Sequence, residues 1–255
     1  MSFEACAALV QKADPLRFRA AMAAPVDARR ILFPLYAFNV EVARAPWVTQ
    51  EAMIAEMRLQ WWRDALEEIA DGSTVRRHEV VDALAGVLDA EGARCLDGLI
   101  AARRWDVYTD GFENQAHFDE YINATSGHLM WTAARLLGDA DETTVRDFAF
   151  GVGVGNIFQA YPALDGQGRK PLIDGSNEGI TALADRALAR MHAAAKERKQ
   201  VSKSAAAALV AGYHARPVLQ KVRSTPELVL QDALDTNPAK DSLRFLNVTL
   251  RGWWR

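Results

Sequence analysis

A chain of 255 residues, 50% hydrophobic and 25% charged, can build one sizeable core, which excludes disorder and fibrous repeats. A formal net charge of −3 and a pI near 6.0 lack the basic excess of a nucleic-acid binder, so no nucleic-acid partner is expected. No uncharged apolar run approaches the roughly 18 residues of a membrane span. Glu4, Lys12 and Asp14 interrupt the apolar N-terminus, unlike a signal peptide, and the expected location is cytoplasmic. Cys6 and Cys95 have neither metal-motif spacing nor the density of a disulfide scaffold, and two free thiols are expected.

The 45 alanines, with abundant Leu, Arg and Glu, favour helix, and alternating β-branched runs are hard to find; the expectation is an all-α protein. Pro25 and Asp27 open a helix through Arg44, with Ile31, Leu35 and Phe38 at helical spacing and a kink expected at Pro34. From Glu51, the residues Ile54, Met57, Trp61, Ala65 and Ile69 trace one helical face until Asp71-Gly72. Weaker periodic segments follow at 76–90, 93–110, 115–137 and 142–161. Glycines and prolines make 162–179 one long irregular connection. Helices resume at 180–200, 203–222 and 239–254, with a short one near 226–234. No repeat or linker divides the chain, so one domain, 1–255, is expected.

No His/Cys array or H-E-x-x-H motif is present among the five histidines. The run Gly151-Val152-Gly153-Val154-Gly155-Asn156 reads either as a phosphate-cradling loop or as small residues that let helices pack closely. Arg17, Arg19, Arg29 and Arg30 form either an arginine-decorated solvated face or a phosphate clamp. Gly168-Arg169-Lys170-Pro171-Leu172 is either an anion contact or a basic turn. As a helix, the C-terminal segment places Leu243, Leu246, Leu250 and Trp253 or Trp254 along one side. Arg244, Arg251 and Arg255 lie elsewhere, a pattern suited to core packing or to peripheral contact with an anionic membrane surface.

Four motifs occur in the order of the squalene/phytoene synthase family, and together the chain resembles it over nearly its whole length. They are Pro25…Arg29-Arg30…Leu35-Tyr36-Ala37-Phe38, Trp61-Trp62-Arg63-Asp64-Ala65-Leu66, Tyr121…Ser126-Gly127-His128, and Gly155-Asn156-Ile157-Phe158…Gly168-Arg169. The resemblance implies the all-helical isoprenoid (terpenoid) synthase fold around a central cavity. In the family's enzymes, two aspartate-rich motifs hold Mg²⁺ against a prenyl diphosphate. Carboxylates at i and i+4 share a helical face and supply the hard oxygen ligands that this ion needs. The matching positions here are Ala43 and Trp47 in the first motif, and Ala160 and Leu164 in the second, with Gln159 where the family has arginine. A shift of register finds no acidic partner for Glu41 or Asp165. No Mg²⁺ or other cofactor is therefore expected, and no catalytic residue is assigned.

The runs Leu35–Arg44 and Met57–Trp62 resemble the branch of the family that contains the mitochondrial complex I assembly factor and its alphaproteobacterial relatives, in which the aspartate motifs are degraded. That resemblance implies a pseudoenzyme that binds a protein partner, a complex I subunit or assembly factor, at or near the inner face of the membrane. The alternative is a protein of isoprenoid biosynthesis: a binder of a prenyl diphosphate or other isoprenoid ligand, or a head-to-head prenyltransferase with a metal-poor site. The candidate residual cavity or anion contacts are Tyr36, Asn39, Glu41, Arg44, Asn156, Gln159, Arg169 and Lys170.

Overall fold

Two polar side chains begin the architecture: Asp14 accepts from the Arg17 amide ahead of Pro15, and Asp89 accepts from the Gly92 amide. Each opens a helix by satisfying an amide that the first turn leaves bare, a contribution of about 1 kcal/mol. Asn114, Asp141, Ser176 and Asn237 do the same further along. The structure is a computed structural model that describes residues 2–49, 51–234 and 237–255. Its α-helices are α1 (Ser2–Ala13), α2 (Pro15–Ala23), α3 (Val26–Arg44), α4 (Ala52–Ala70), α5 (Glu79–Ala85), α6 (Ala90–Arg103) and α7 (Gln115–Ile122). They continue with α8 (His128–Leu137), α9 (Glu142–Asp165), α10 (Asn177–Lys196), α11 (Ala206–Leu209), α12 (Ala215–Ser224) and α13 (Pro238–Arg251). Among the described residues there is no strand, only an isolated bridge between Ala140 and Val201, so the chain is all-α as its composition predicts. No helix of the described residues is long and apolar enough to cross a membrane.

The helices gather into two compact units. The first comprises 1–108, 128–139 and 203–211, and the second 109–127, 140–202 and 212–255. In the first, α3 is the central element. Every residue from Leu32 to Val40 is buried, and α1, α2, α5 and α8 pack around it. A helix apolar on every side has to be surrounded; Pro34 lies inside this buried stretch without ending the helix. In the second unit α9 has this role: Phe148 through Gly155 are buried without a break, against α10, α12 and the π-helical turn Asn123–Gly127.

Several boundaries differ from the periodicity reading. The two N-terminal helices are additional to it. On α4 the buried residues are Ala55, Leu59, Trp62, Ala65 and Leu66; of the expected face Ala65 is buried and Trp61 and Ile69 are half-buried, whereas Ile54 and Met57 are exposed, at 39% and 66%. The helix carries apolar side chains on two sides, and the N-terminal part of the expected face is left uncovered while the rest of the helix packs chiefly on α6. The segment 162–179 is shorter as a connection, because α9 runs through Pro162 to Asp165 and α10 starts at Asn177. Segment 203–222 is broken at Val210–Gly212, where the chain passes from one unit to the other. There a Cβ on Gly212 would stand 2.4 Å from Val152 and 2.7 Å from Phe148, so only glycine allows the approach. Near 226–234 there is a 3-10 turn, Pro226–Leu228. The C-terminal helix stops at Arg251, since Gly252 takes φ +113° and turns Trp253 into the core against Phe148. Both cysteines are thiols outside any disulfide; Cys6 is buried, and its pKa is pushed up to about 11 by that burial.

Candidate functional site

In the first unit, the run that resembles the first aspartate motif occupies the end of α3. Tyr36 and Asn39 are buried there, at 3% and 7% exposure. Burial raises the Tyr36 hydroxyl well above the usual phenol range, and Arg17 lies 5.7 Å from the centre of its ring. Arg44 reaches back to Glu41 at 2.6 Å, so its charge is already met by a neighbour on the same helix. Pro46 has no amide hydrogen to continue the ladder, and α3 gives way after Arg44 to a 3-10 turn, Ala45–Trp47. Ala43 therefore sits on the helix and Trp47, 40% exposed, lies beyond its end. The helical i, i+4 relationship that two metal-binding carboxylates require is broken by the backbone as well as by the side chains.

Glu41 lines a small cleft of about 250 Å³ with Ala45, Arg58, Trp61, Trp62 and His78. The aromatic wall is ordered: Trp61 and Trp62 meet edge to face at 5.0 Å, and each packs on His78. Phe38 supports Trp62 from below at 5.5 Å, and Arg76 lies over Trp61 while bonding Glu68. That bond holds the Glu68 carboxyl below the usual range. Next to this cleft, Met53, Ile54 and Met57 on α4, with Trp47 and Val48, are all exposed. His78 looks isolated in sequence, and nothing local to it signals this packing.

The expected arginine cluster is divided. Arg17 bonds Asp14 at 2.5 Å and Arg29 donates to the Ala24 carbonyl at 2.9 Å. Arg29 and Arg30 line a cleft with Phe3, Val26 and Pro34. Neither Arg17 nor Arg19 lines that cleft.

In the second unit, Asn156 and Gln159 rise from α9. The glycines before Asn156 lie inside that helix rather than in a loop, and Gly151 and Gly153 are there for close packing. A Cβ on Gly153 would stand 2.7 Å from Ile122 and 2.8 Å from Ser126. Asn156 Oδ1 lies 3.0 Å from His214 Nε2, and His214 is buried. Gln159 and Ala160 are exposed and Leu164 is half-buried. Arg169 is buried, with its amide bonded to the Leu164 carbonyl, whereas Lys170 is exposed. Arg216, at the start of α12, is half-buried, and its Nη2 has no hydrogen-bond partner among the described residues. Burial lowers its pKa. Neither His214 nor Arg216 stood out in the sequence, because nothing but tertiary packing brings them to α9.

Ala43, Trp47, Ala160 and Leu164 offer no oxygen, so the donor set does not fit Mg²⁺. Among the described residues, no group of three or more His, Cys, Asp or Glu is placed to hold a metal ion.

The helical architecture is that of the isoprenoid synthases. A dehydrosqualene synthase crystallised in complex with a ligand superposes with a TM-score of 0.76 at 15% identity, covering 98% of this chain and 95% of that one. Squalene synthase HpnC from Alicyclobacillus acidocaldarius gives 0.73 at 17% identity, covering 88% and 93%. The family profile described as squalene/phytoene synthase matches residues 10–172, and the chain belongs to that family. Its curated relatives include the NADH dehydrogenase (ubiquinone) complex I assembly factor 6 homolog of Drosophila melanogaster, 31% identical over 131 residues, 49% of this chain and 39% of that protein. Complex I assembly factor 6 of Homo sapiens is 24% identical over 137 residues, 53% of this chain and 41% of that protein. The matched stretch thus spans about two-fifths of the length of these relatives.

Proposed function

We propose that this chain is a non-catalytic member of its family that binds a protein partner, a subunit or assembly factor, during the biogenesis of respiratory complex I. The observation that carries this reading is the loss of all four metal-binding carboxylate positions, with Pro46 ending the helix on which two of them would stand. The likeness to proteins named complex I assembly factor 6 supports the assembly role. The exposed face of Met53, Ile54 and Met57 beside Trp47 supplies apolar surface for a partner. On this reading the protein needs no Mg²⁺ and works in the cytoplasm, with a peripheral place at the membrane.

The test has two arms. Purified protein given farnesyl or geranylgeranyl diphosphate with Mg²⁺ is expected to release no diphosphate, and a deletion strain is expected to contain less assembled complex I. Metal-dependent turnover, or normal complex I in the deletion strain, overturns the proposal.

A second reading, binding of an isoprenoid diphosphate without metal, is favoured by Arg216: its buried Nη2, with no hydrogen-bond partner among the described residues, invites an anion. Thermal shift with prenyl diphosphates in the absence of Mg²⁺ tests it. A shift lost in Arg216→Gln is expected if it is right, and no shift at high ligand excess removes it.

A further inference from the structure

Helix α13 has two apolar faces, and only one of them is covered. Val248 is buried, and Phe245 meets the ring of Tyr213 at 5.0 Å; just beyond the helix, Trp253 packs on Phe148 at 4.8 Å. These contacts pin the helix to its unit. Leu243, Leu246 and Leu250 lie within about 60° of one another on the side away from Val248, given the ~100° step of an α-helix. They are 69%, 53% and 75% exposed. A lone exposed leucine needs no explanation, but three aligned on one helix do.

The charge around the leucines indicates what covers them. Residues 237–255 carry Lys240, Arg244, Arg251 and Arg255 against Asp241 alone, while the whole chain has a net charge of −3. The acidic excess therefore lies elsewhere in the chain, and its C-terminal segment is strongly basic. Lys240, Arg244 and Arg251 fall along one flank of the leucine row, roughly 90–130° from its centre. A helix that lies flat in a lipid interface needs this arrangement: apolar side chains pointing down, and long cationic ones beside them that reach headgroup phosphates. A protein partner helix would be served by the leucines without the cations. Arg244 is partly engaged by Asp241 at 3.8 Å, which leaves Lys240, Arg251 and Arg255 as the principal headgroup contacts.

We infer that the outer face of α13 is a docking surface for an anionic phospholipid bilayer, with Leu243, Leu246 and Leu250 entering the acyl boundary and Lys240, Arg251 and Arg255 at the headgroups. This extends the peripheral location proposed above by naming the surface and the lipid class. It does not depend on which protein is assembled.

The experiment is sedimentation of the full chain with vesicles of phosphatidylcholine alone, and of phosphatidylcholine mixed with phosphatidylglycerol. The protein is expected to pellet with the anionic vesicles and far less with the neutral ones. Binding should fall in about 1 M salt, where the Debye length is near 3 Å. The variant Leu243→Ser/Leu246→Ser/Leu250→Ser is expected to lower binding roughly tenfold or more while melting like the parent, because these side chains contribute little to the fold. Lys240→Ser/Arg251→Ser/Arg255→Ser is expected to remove the preference for anionic lipid. Absence of pelleting with anionic vesicles overturns the inference, as does undiminished binding by the leucine variant. A parent dimer that the leucine variant converts to monomer, without vesicle binding in either, also overturns it and gives the face to a second copy of the chain. Vesicles hold no protein partner, so failure here leaves the assembly proposal intact, and a silent deletion strain leaves this one intact.

Discussion

Asn156 Oδ1 accepts from His214 Nε2 at 3.0 Å, tying the middle of α9 to the residue that precedes α12. With the amide oxygen facing the ring, Nε2 is the nitrogen that carries the proton. Asn156→Leu keeps the branched shape and strands that N–H in a buried place, which costs about 1–3 kcal/mol. The urea midpoint should fall accordingly. The double variant Asn156→Leu/His214→Phe should recover part of the loss, because both polar groups are then gone; no recovery would mean that the bond is not what holds the two together.

Gly153 and Gly155 should respond oppositely to alanine. A methyl on Gly153 meets Ile122 at 2.7 Å and Ser126 at 2.8 Å, so overpacking should destabilise by about 1–3 kcal/mol. On Gly155 the nearest atoms belong to Ala215 at 3.5 Å, an ordinary contact. There the gain in helix propensity, about 1 kcal/mol, should leave stability unchanged or raised. Thermal melts of the two variants check this.

Restoring carboxylates at the first motif should not restore the metal. In Ala43→Asp/Trp47→Asp, one carboxylate stands on α3 and the other beyond a 3-10 turn closed around Pro46, and the second motif still supplies none. Calorimetric titration with Mg²⁺ is expected to show no binding at micromolar concentrations. Saturable binding by this variant would mean that the helix end adapts around the ion.

The exposed face of α4 should separate binding from folding. Met53→Ser/Ile54→Ser/Met57→Ser is expected to change stability by no more than about 0.5 kcal/mol per site and to fail to complement a deletion strain. Leu59→Ala, on the buried stripe of the same helix, should cost about 2–5 kcal/mol. Full complementation by the surface variant would move the partner site elsewhere.

Acid should weaken the α6–α8 junction through Asp89. Hydrogen bonding from Arg135, whose Nη1 is 2.9 Å from Oδ2, together with the Gly92 amide, lowers the pKa of this carboxyl. A lowered folded-state pKa stabilises the protein above the ordinary carboxylate range, and that stability is lost as pH falls through the lowered value. Asp89→Asn keeps the cap and removes the charge, so its stability should change less between pH 7 and pH 3 than the parent's. Asp89→Ala should lose about 1 kcal/mol of cap at neutral pH. Denaturant midpoints across that range decide between cap and charge.

Much of this protein was legible in one dimension. Alanine content and the scarcity of alternating patterns gave the helical class, and the residues Ala43, Trp47, Ala160 and Leu164 already told that these four positions carry no carboxylate, because a side chain's donor chemistry does not depend on its surroundings. What three dimensions decided was which apolar surface is covered. Ile54 and Met57 look as buried in sequence as Leu59 and Trp62, and Leu243 as buried as Val248, yet each pair separates in the fold. Periodicity reports that a helix has an apolar face; it cannot report whether a neighbour arrives to cover it, nor that His214 will meet Asn156 from 58 residues away. Burial is a property of the packed neighbours, and those are chosen only when the whole chain has folded.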